Sequence, residues 1–203
     1  MRIEAMRKIQ IVGIGGTLRP NSSSARALRY CLDYAESTGA SVELFVDDDL
    51  RASLYEPGRA VADDCMHRML AALRTADGVI IASPGYHGGV SGTLKNVLDY
   101  TEEMAKDGTP YLDGRAVGCL VSAAGWQAGG ATLSALRSIV HALRGWPTPL
   151  GVLINSSEAV FGETGRLLSD DLARNLRIMT QQVVDFAAMR RLAEESGMER
   201  LSA

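Results

Sequence analysis

The chain has 203 residues, 46% hydrophobic and 22% charged, and its 21 Lys and Arg against 24 Asp and Glu leave a formal net charge of -3. That length supports one buried core, so residues 1–203 are expected to form a single domain, and with no run of five like charges the chain offers no track for nucleic acid. No segment reaches the roughly twenty consecutive apolar residues of a membrane span, and the start MRIEAMRKIQIVGIGG lacks the long apolar stretch and cleavage pattern of an export signal, so no membrane partner and a cytoplasmic location are expected.

Residues 8–14 (KIQIVGI) are a β-branched run ending in glycines and read as the first strand. The loop behind it, GIGGTLRPNSSSAR over residues 13–26, carries neither common nucleotide motif. G-x-G-x-x-G would need glycine where Leu18 stands, and no G-x-x-x-x-G-K-[ST] is present. The loop does hold Thr17, Arg19 and Ser22 to Ser24 in front of a helix that begins near Ser22 to Ser24 and carries Ala25, Leu28, Leu32 and Ala35 at helical spacing. Backbone N–H groups and the helix dipole favour an anion there, hydroxyls donate to phosphate oxygens and Arg19 supplies charge. The loop therefore suits a phosphate monoester; a serine-rich cap beside a solvated arginine is the other reading.

A second strand is expected at residues 42–46. Asp47 to Asp49 follow it, where a dinucleotide-binding domain would bind ribose hydroxyls, although the failed glycine pattern counts against that. A helix over residues 60–75 leads to a third strand at 79–83, which opens into SPGYHGGVSG over residues 83–92. Glycines without Cβ let backbone approach a flat ligand, and Tyr86 either walls that ligand or packs under the next helix. His87 has no visible partner to tune it as a general acid. The helix over residues 91–104 carries Lys95 and Asp99, a helix pair or a binding feature. Its Val97, Leu98, Tyr100 and Met104 cover more of the circumference than one buried face needs, which points to an oligomer.

A fourth strand at 117–122 opens into SAAGWQAGG over residues 122–130, whose Trp126 either flanks a ligand or is buried in the core. A helix over residues 129–144, a strand at 150–155 and a last helix striped with Leu172, Leu176, Met179, Val183 and Phe186 complete the chain. The charged tail beyond about Arg190 is expected to fray. Cys31, Cys65 and Cys119 lie far apart and read as buried thiols, and His67, His87 and His141 stand alone, so no metal is proposed.

Strands apolar on nearly every residue, alternating with helices, imply a parallel sheet with right-handed crossovers and helices on both faces. The expected class is α/β, a doubly wound five-stranded sheet in the flavodoxin-like order 2-1-3-4-5. Ligands then bind beyond the carboxyl ends of the strands, at the loops after strands one, three and four.

Taken together, GGTLRPNSSS and SPGYHGGVSGTLKNVLDY resemble the two signatures of the NADPH-dependent FMN reductase family, over roughly residues 8 to 155, the second being the more specific. The resemblance implies a flavodoxin-like protein that binds FMN and takes a hydride from NADPH or NADH. It implies the FMN phosphate at Thr17, Arg19, Ser22 and Ser24, and ring and ribityl contacts at Pro84, Gly85, Tyr86, His87 and Gly88. Gly125, Trp126 and Gln127 become candidates for the ring edge or for stacking the nicotinamide. Many members carry an acidic residue at the position of Gly85 and Asn at that of His87.

Hydride transfer between stacked rings needs orientation rather than an acid or base, so no catalytic residue is expected. The implied partners are a small-molecule acceptor (free flavin, quinone, azo dye, metal oxyanion or oxygen), a flavin-dependent monooxygenase, and further copies of the chain as a homodimer or homotetramer. Members that serve a monooxygenase can carry an aromatic where this chain has Val90. The alternative is a flavodoxin-like electron-transfer protein without NAD(P)H turnover, but such carriers are strongly acidic and this chain is not.

Overall fold

The computed structural model describes residues 7–197. In chain order the elements are β1 (Gln10–Gly15), α1 (Ser23–Ser37), β2 (Ser41–Phe45), α2 (Asp64–Thr75), β3 (Gly78–Tyr86), β4 (Gly89–Val90), α3 (Gly92–Asp99), β5 (Ala116–Ala123), α4 (Trp126–Ala142), β6 (Trp146–Pro147), β7 (Val152–Asn155) and α5 (Asp170–Glu195). The main path of the sheet runs β2-β1-β3-β5-β6, with β7 also on β5, and every pairing but that of β4 is parallel. This is the flavodoxin-like arrangement, built from seven strands rather than five.

Both extra strands have local causes. The strand expected at 150–155 forms as β7 and pairs with Leu120 to Ala123, while a short unexpected strand ahead of it, β6, pairs with Ala116 and Val117. Pro147 and Pro149 lack the N–H that a continuous ladder needs. The other addition, β4, folds back on β3 through a two-residue turn at His87 and Gly88, whose φ values are 51° and 82°. Positive φ at both positions is the signature of a type I′ hairpin turn, and histidine is among the residues that tolerate it.

Consecutive residues of the central strands face opposite layers. Val12, Ile81 and Val121 pack with α2, α3 and α4, while Ile11, Ile80 and Leu120 pack with α1 and α5. With both faces covered, an apolar residue is required at nearly every strand position.

Helix ends differ from the sequence expectation where side chains decide them. α2 starts at Asp64 rather than 60 because the Asp63 carboxylate accepts the N–H groups of Cys65 and Met66, at 2.9 and 3.2 Å. α3 ends at Asp99 and continues to Met104 only as a 3-10 turn. α4 starts at Trp126, three residues earlier than expected. α5 runs past Arg190 to Glu195, because Arg191 donates to the Asp77 carboxylate and to the carbonyls of Arg7 and Lys8. That tether holds the described part of the segment expected to fray, whose last residues, 198–203, lie outside the described residues. No helix among the described residues is long and apolar enough to cross a membrane.

Candidate functional site

The carboxyl ends of β1, β3 and β5 lie side by side, with Gly15 opposite Ala82 and Pro84 opposite Ser122. Gly15 has φ 136°, and a Cβ there would fall 1.9 Å from the Ala82 carbonyl oxygen, so only glycine lets the chain turn this close to β3. Gly16 then donates its N–H to that same carbonyl at 3.0 Å.

The loop beyond is a nest of short hydrogen bonds. The Arg19 N–H donates to Thr17 Oγ1 at 2.7 Å. Ser22 caps α1 by accepting the Ala25 N–H at 3.2 Å, and its hydroxyl lies 3.2 Å from that of Ser24. Thr17 Oγ1 donates in turn to the Arg19 carbonyl at 3.4 Å, and one hydroxyl of the Ser22–Ser24 pair donates to the other, so these groups are held in place and a bound anion would redirect their protons. Arg19 is exposed, and no carboxylate pairs with it among the described residues.

A cavity of about 430 Å³ opens here, lined by Thr17, Arg19, Asn21 to Ser24, Pro84 to Tyr86, Ser122 to Ala124 and Ser156. Its volume lies within the usual range for a cofactor site. Seven residues singled out from the sequence, Thr17, Arg19, Ser22, Ser24, Pro84, Gly85 and Tyr86, therefore share one cavity. The others do not line it. His87 and Gly88 form the exposed turn beside Tyr86. An added Cβ at Gly88 meets nothing within 4 Å, so its glycine answers to positive φ rather than to crowding within the protein. At Gly85 the opposite holds: a Cβ would lie 2.8 Å from Ala123 and from the Thr132 hydroxyl. No acidic side chain fits at that position here.

Gly125, Trp126 and Gln127 belong to the start of α4 rather than to a free loop, and Gly125 gives its N–H to Asn155 Oδ1 at 3.0 Å. Trp126 is 64% exposed and Tyr86 53%. Both core-packing readings of these rings are thereby overturned. Lys95 and Asp99 form an i,i+4 pair at 2.5 Å, the plain helix reading. The three carboxylates after β2 are occupied as well: Asp47 with Arg29, Asp48 with Arg51 and Asp49 with Arg68. Asp47 Oδ1, buried and without a hydrogen-bond partner, is the one buried side-chain acceptor left over among the described residues, so the case against the ribose reading rests on the failed glycine pattern rather than on these pairs.

Ser23, in the same serine run as Ser22 and Ser24, lines the cavity too, and sequence reasoning missed Asn21, Ser122, Ala123, Ala124 and Ser156. Ser122 carried a signal, a hydroxyl closing an otherwise apolar strand. It is 7% exposed, lines the cavity, and its hydroxyl has no hydrogen-bond partner among the described residues. Open to the cavity rather than sealed in the core, the hydroxyl is available to a polar group of a ligand. Ser156 carried no signal, because it arrives from a loop 32 residues beyond Ala124 in the chain.

Hydroxyls, a guanidinium and a helix N-terminus at one end suit a phosphate, while a strand end with a tyrosine at the other suits a flat ring. The family model for NADPH-dependent FMN reductase matches residues 9–159. The chain belongs to that family. FMN is accordingly its cofactor, NADPH its reductant, and a small molecule its electron acceptor. Among curated proteins, this FMN reductase family member is 27% identical over 178 residues to an FMN-dependent NADPH-azoreductase of Staphylococcus aureus, covering 84% of this chain and 91% of that one. Two solved structures show the same fold. An NADH:FMN oxidoreductase in its apo form superposes with a TM-score of 0.67 at 21% identity, over 90% of each chain. A flavoenzyme NAD(P)H:(acceptor) oxidoreductase from Paracoccus denitrificans gives 0.64 at 18%, over 90% of this chain and 98% of that one.

Of the three thiols, Cys31 and Cys119 are buried as expected, and burial pushes each up to about 12. Cys65 is only partly buried, with Arg68 donating to its sulfur at 3.4 Å. Burial raises it too, against the opposing Arg68 hydrogen bond. Among the described residues no group of three His, Cys, Asp or Glu side chains could hold a metal.

Proposed function

We propose that the cavity between α1, β3 and β5 seats FMN with its phosphate at Thr17, Arg19, Ser22, Ser23 and Ser24 and its ring toward Pro84, Gly85 and Tyr86, in one domain spanning the chain. The carrying observation is that a hydroxyl-and-arginine end and a strand end bearing an aromatic share one cavity of about 430 Å³. Bound there, FMN supplies the two-electron chemistry between NADPH and the acceptor.

The chain's own groups bind, orient and stabilise charge. Ser22 to Ser24 donate toward phosphate oxygens at the positive end of α1, and Arg19 adds a charge-assisted contact. Ser122 donates to a polar atom of the cofactor. The first turn of α4 has no side-chain cap at Gly125, so its free N–H groups and helix dipole favour negative charge developing at the cavity edge. No proton needs to be moved by a side chain, so His87, Gly88, Trp126 and Gln127 border the site without catalysing.

Tyr86, in the cavity lining, and Trp126, two residues beyond the lining residue Ala124, leave apolar rings in solvent. A flat aromatic acceptor, a quinone, an azo compound or free flavin, matches those rings, and the azoreductase relative supports this class. Val97, Leu98, Tyr100 and Met104, the residues that pointed to an oligomer in the sequence, are all buried in the chain's own core, so a homodimer or homotetramer in the cytoplasm draws its support from the exposed rings of Tyr86 and Trp126 instead. A flavin-dependent monooxygenase as receiver of reduced flavin has the weaker support, given Val90.

One anaerobic experiment tests the reading. The purified protein takes up FMN, NADPH bleaches the flavin band, and a quinone or azo dye restores it. FMN binding without bleaching by NADPH or NADH would leave an electron carrier instead. Sedimentation at about 22 kDa with FMN bound at micromolar concentration would remove the oligomer.

A further inference from the structure

We infer that residues 156–168 form a closed strap that makes the site select a flavin ending in a phosphate monoester over one whose phosphate carries a further nucleotide, with Arg26 and Phe161 as its clasp. The inference rests on the cofactor seating proposed above and deepens it.

The strap begins inside the cavity and ends on α1. Ser156 lines the cavity and donates its N–H to the Ala123 carbonyl at 2.9 Å. Asn155 roots the segment by accepting the N–H groups of Gly125 and Ser157, at 3.0 and 3.1 Å. Further along, Phe161 bridges to Leu167, Leu168 donates to the Val160 carbonyl at 3.0 Å, and Gly162 and Gly165 close the tip with bonds of 2.9 and 3.0 Å. The segment is thus a small hairpin of its own rather than a loose connection. Leu167 buries its side chain in the layer of α1 and α5.

Its tip sits on the helix whose first turn faces the phosphate. Arg26 lies one turn after the Ser22 cap, with its N–H on the Ser22 carbonyl at 2.9 Å. Its guanidinium stacks over the Phe161 ring, 3.9 Å from the centroid. A Cβ on Gly165, whose φ is 87°, would stand 3.7 Å from Arg26 Nη2, so the turn fits around the guanidinium. Among the described residues no carboxylate pairs with Arg26, and the ring is the partner that holds it.

A monoester ends at the helix N-terminus with its terminal oxygens free to accept hydrogen bonds. In a dinucleotide such as FAD one of those oxygens is esterified, and the chain beyond must leave between α1 and whatever borders it. The strap runs from Ser156 in the cavity lining to the Arg26–Phe161 stack one turn into α1; a strap closed across that way out makes rejection of FAD steric rather than a matter of weaker attraction.

The test is titration of FMN, FAD and riboflavin into the full chain and its Phe161→Ala, Arg26→Gln and Phe161→Tyr variants, with thermal melts to confirm folding. The wild type is expected to bind FMN about a hundredfold more tightly than FAD, with the ratio falling about tenfold in Phe161→Ala and Arg26→Gln and surviving in Phe161→Tyr, which keeps the ring. If Phe161→Ala does not fold, Arg26→Gln alone decides. An equal loss for FMN and FAD would assign the clasp a structural role only and overturn the inference. A wild type that binds FMN and FAD alike would overturn it too, with the cofactor seating intact. A wild type that binds riboflavin as tightly as FMN would sink the seating itself, and the strap's role with it.

Discussion

Gly125 donates its N–H to the Asn155 side-chain oxygen at 3.0 Å, which ties the start of α4 to the end of β7 across 30 residues of chain. The donor that the sequence offers to a flavin edge is therefore already engaged, and Asn155 sets where the first turn of α4 stands. Asn155→Ala should weaken FMN and riboflavin alike, by about 1 kcal/mol, since the loop rather than the phosphate end is loosened. Fluorescence titration with both flavins checks this; a loss confined to FMN would contradict it.

Arg19 touches the other end. Replacing it with Ala should reduce FMN affinity by about 1.5–3 kcal/mol and leave riboflavin nearly unchanged, because only FMN carries the charge that the guanidinium pairs with. Equal losses would show that Arg19 does not read the phosphate.

Ser122 should be separable from stability. Its hydroxyl has no protein partner among the described residues, so Ser122→Ala removes no native hydrogen bond. The thermal midpoint of the flavin-free protein should stay within measurement error while FMN binding weakens by about 0.5–1.5 kcal/mol. A lower midpoint without a binding change would place the hydroxyl's role in folding.

The hairpin beside Tyr86 gives an ordering. Gly88→Val forces a β-branched residue to φ 82°, at a cost of about 1–3 kcal/mol, and should distort β4 and lower NADPH oxidation. His87→Asn, which also tolerates positive φ, should change little, and His87→Ala should keep most of the activity. A His87→Ala enzyme that still holds FMN yet loses about a thousandfold in rate would mean an acid–base role that is absent from the proposed chemistry.

The thiols predict an alkaline limb. Cys31 and Cys119 ordinarily ionise near 9.0 but hold their protons to about 12 in the fold because they are buried. The unfolded chain releases those protons first, so the stability they contribute is complete below pH 9 and is lost as pH rises from there toward 12. Urea midpoints measured from pH 8 to 10.5 should fall, and fall less steeply in Cys31→Ala. At pH 8 a thiol reagent should modify Cys65 in the native protein and all three cysteines after unfolding.

What the sequence determined by itself was the fold class and the hydroxyl-and-arginine end of the cavity, where the proposed phosphate would sit. Strands such as residues 79–83 must be apolar on both faces once helices cover both, and Ser22 to Ser24 act within one turn of their own helix, so both signals are local in the chain. The tertiary structure alone decided the rest. Trp126 is apolar enough for a core and stands in solvent because α4 starts at it; Ser156 reaches the cavity only because β7 pairs with β5; α5 persists past Arg190 only because Asp77, 114 residues earlier, receives Arg191. Each of these depends on which distant segments become neighbours, and periodicity within a segment carries no record of its partner.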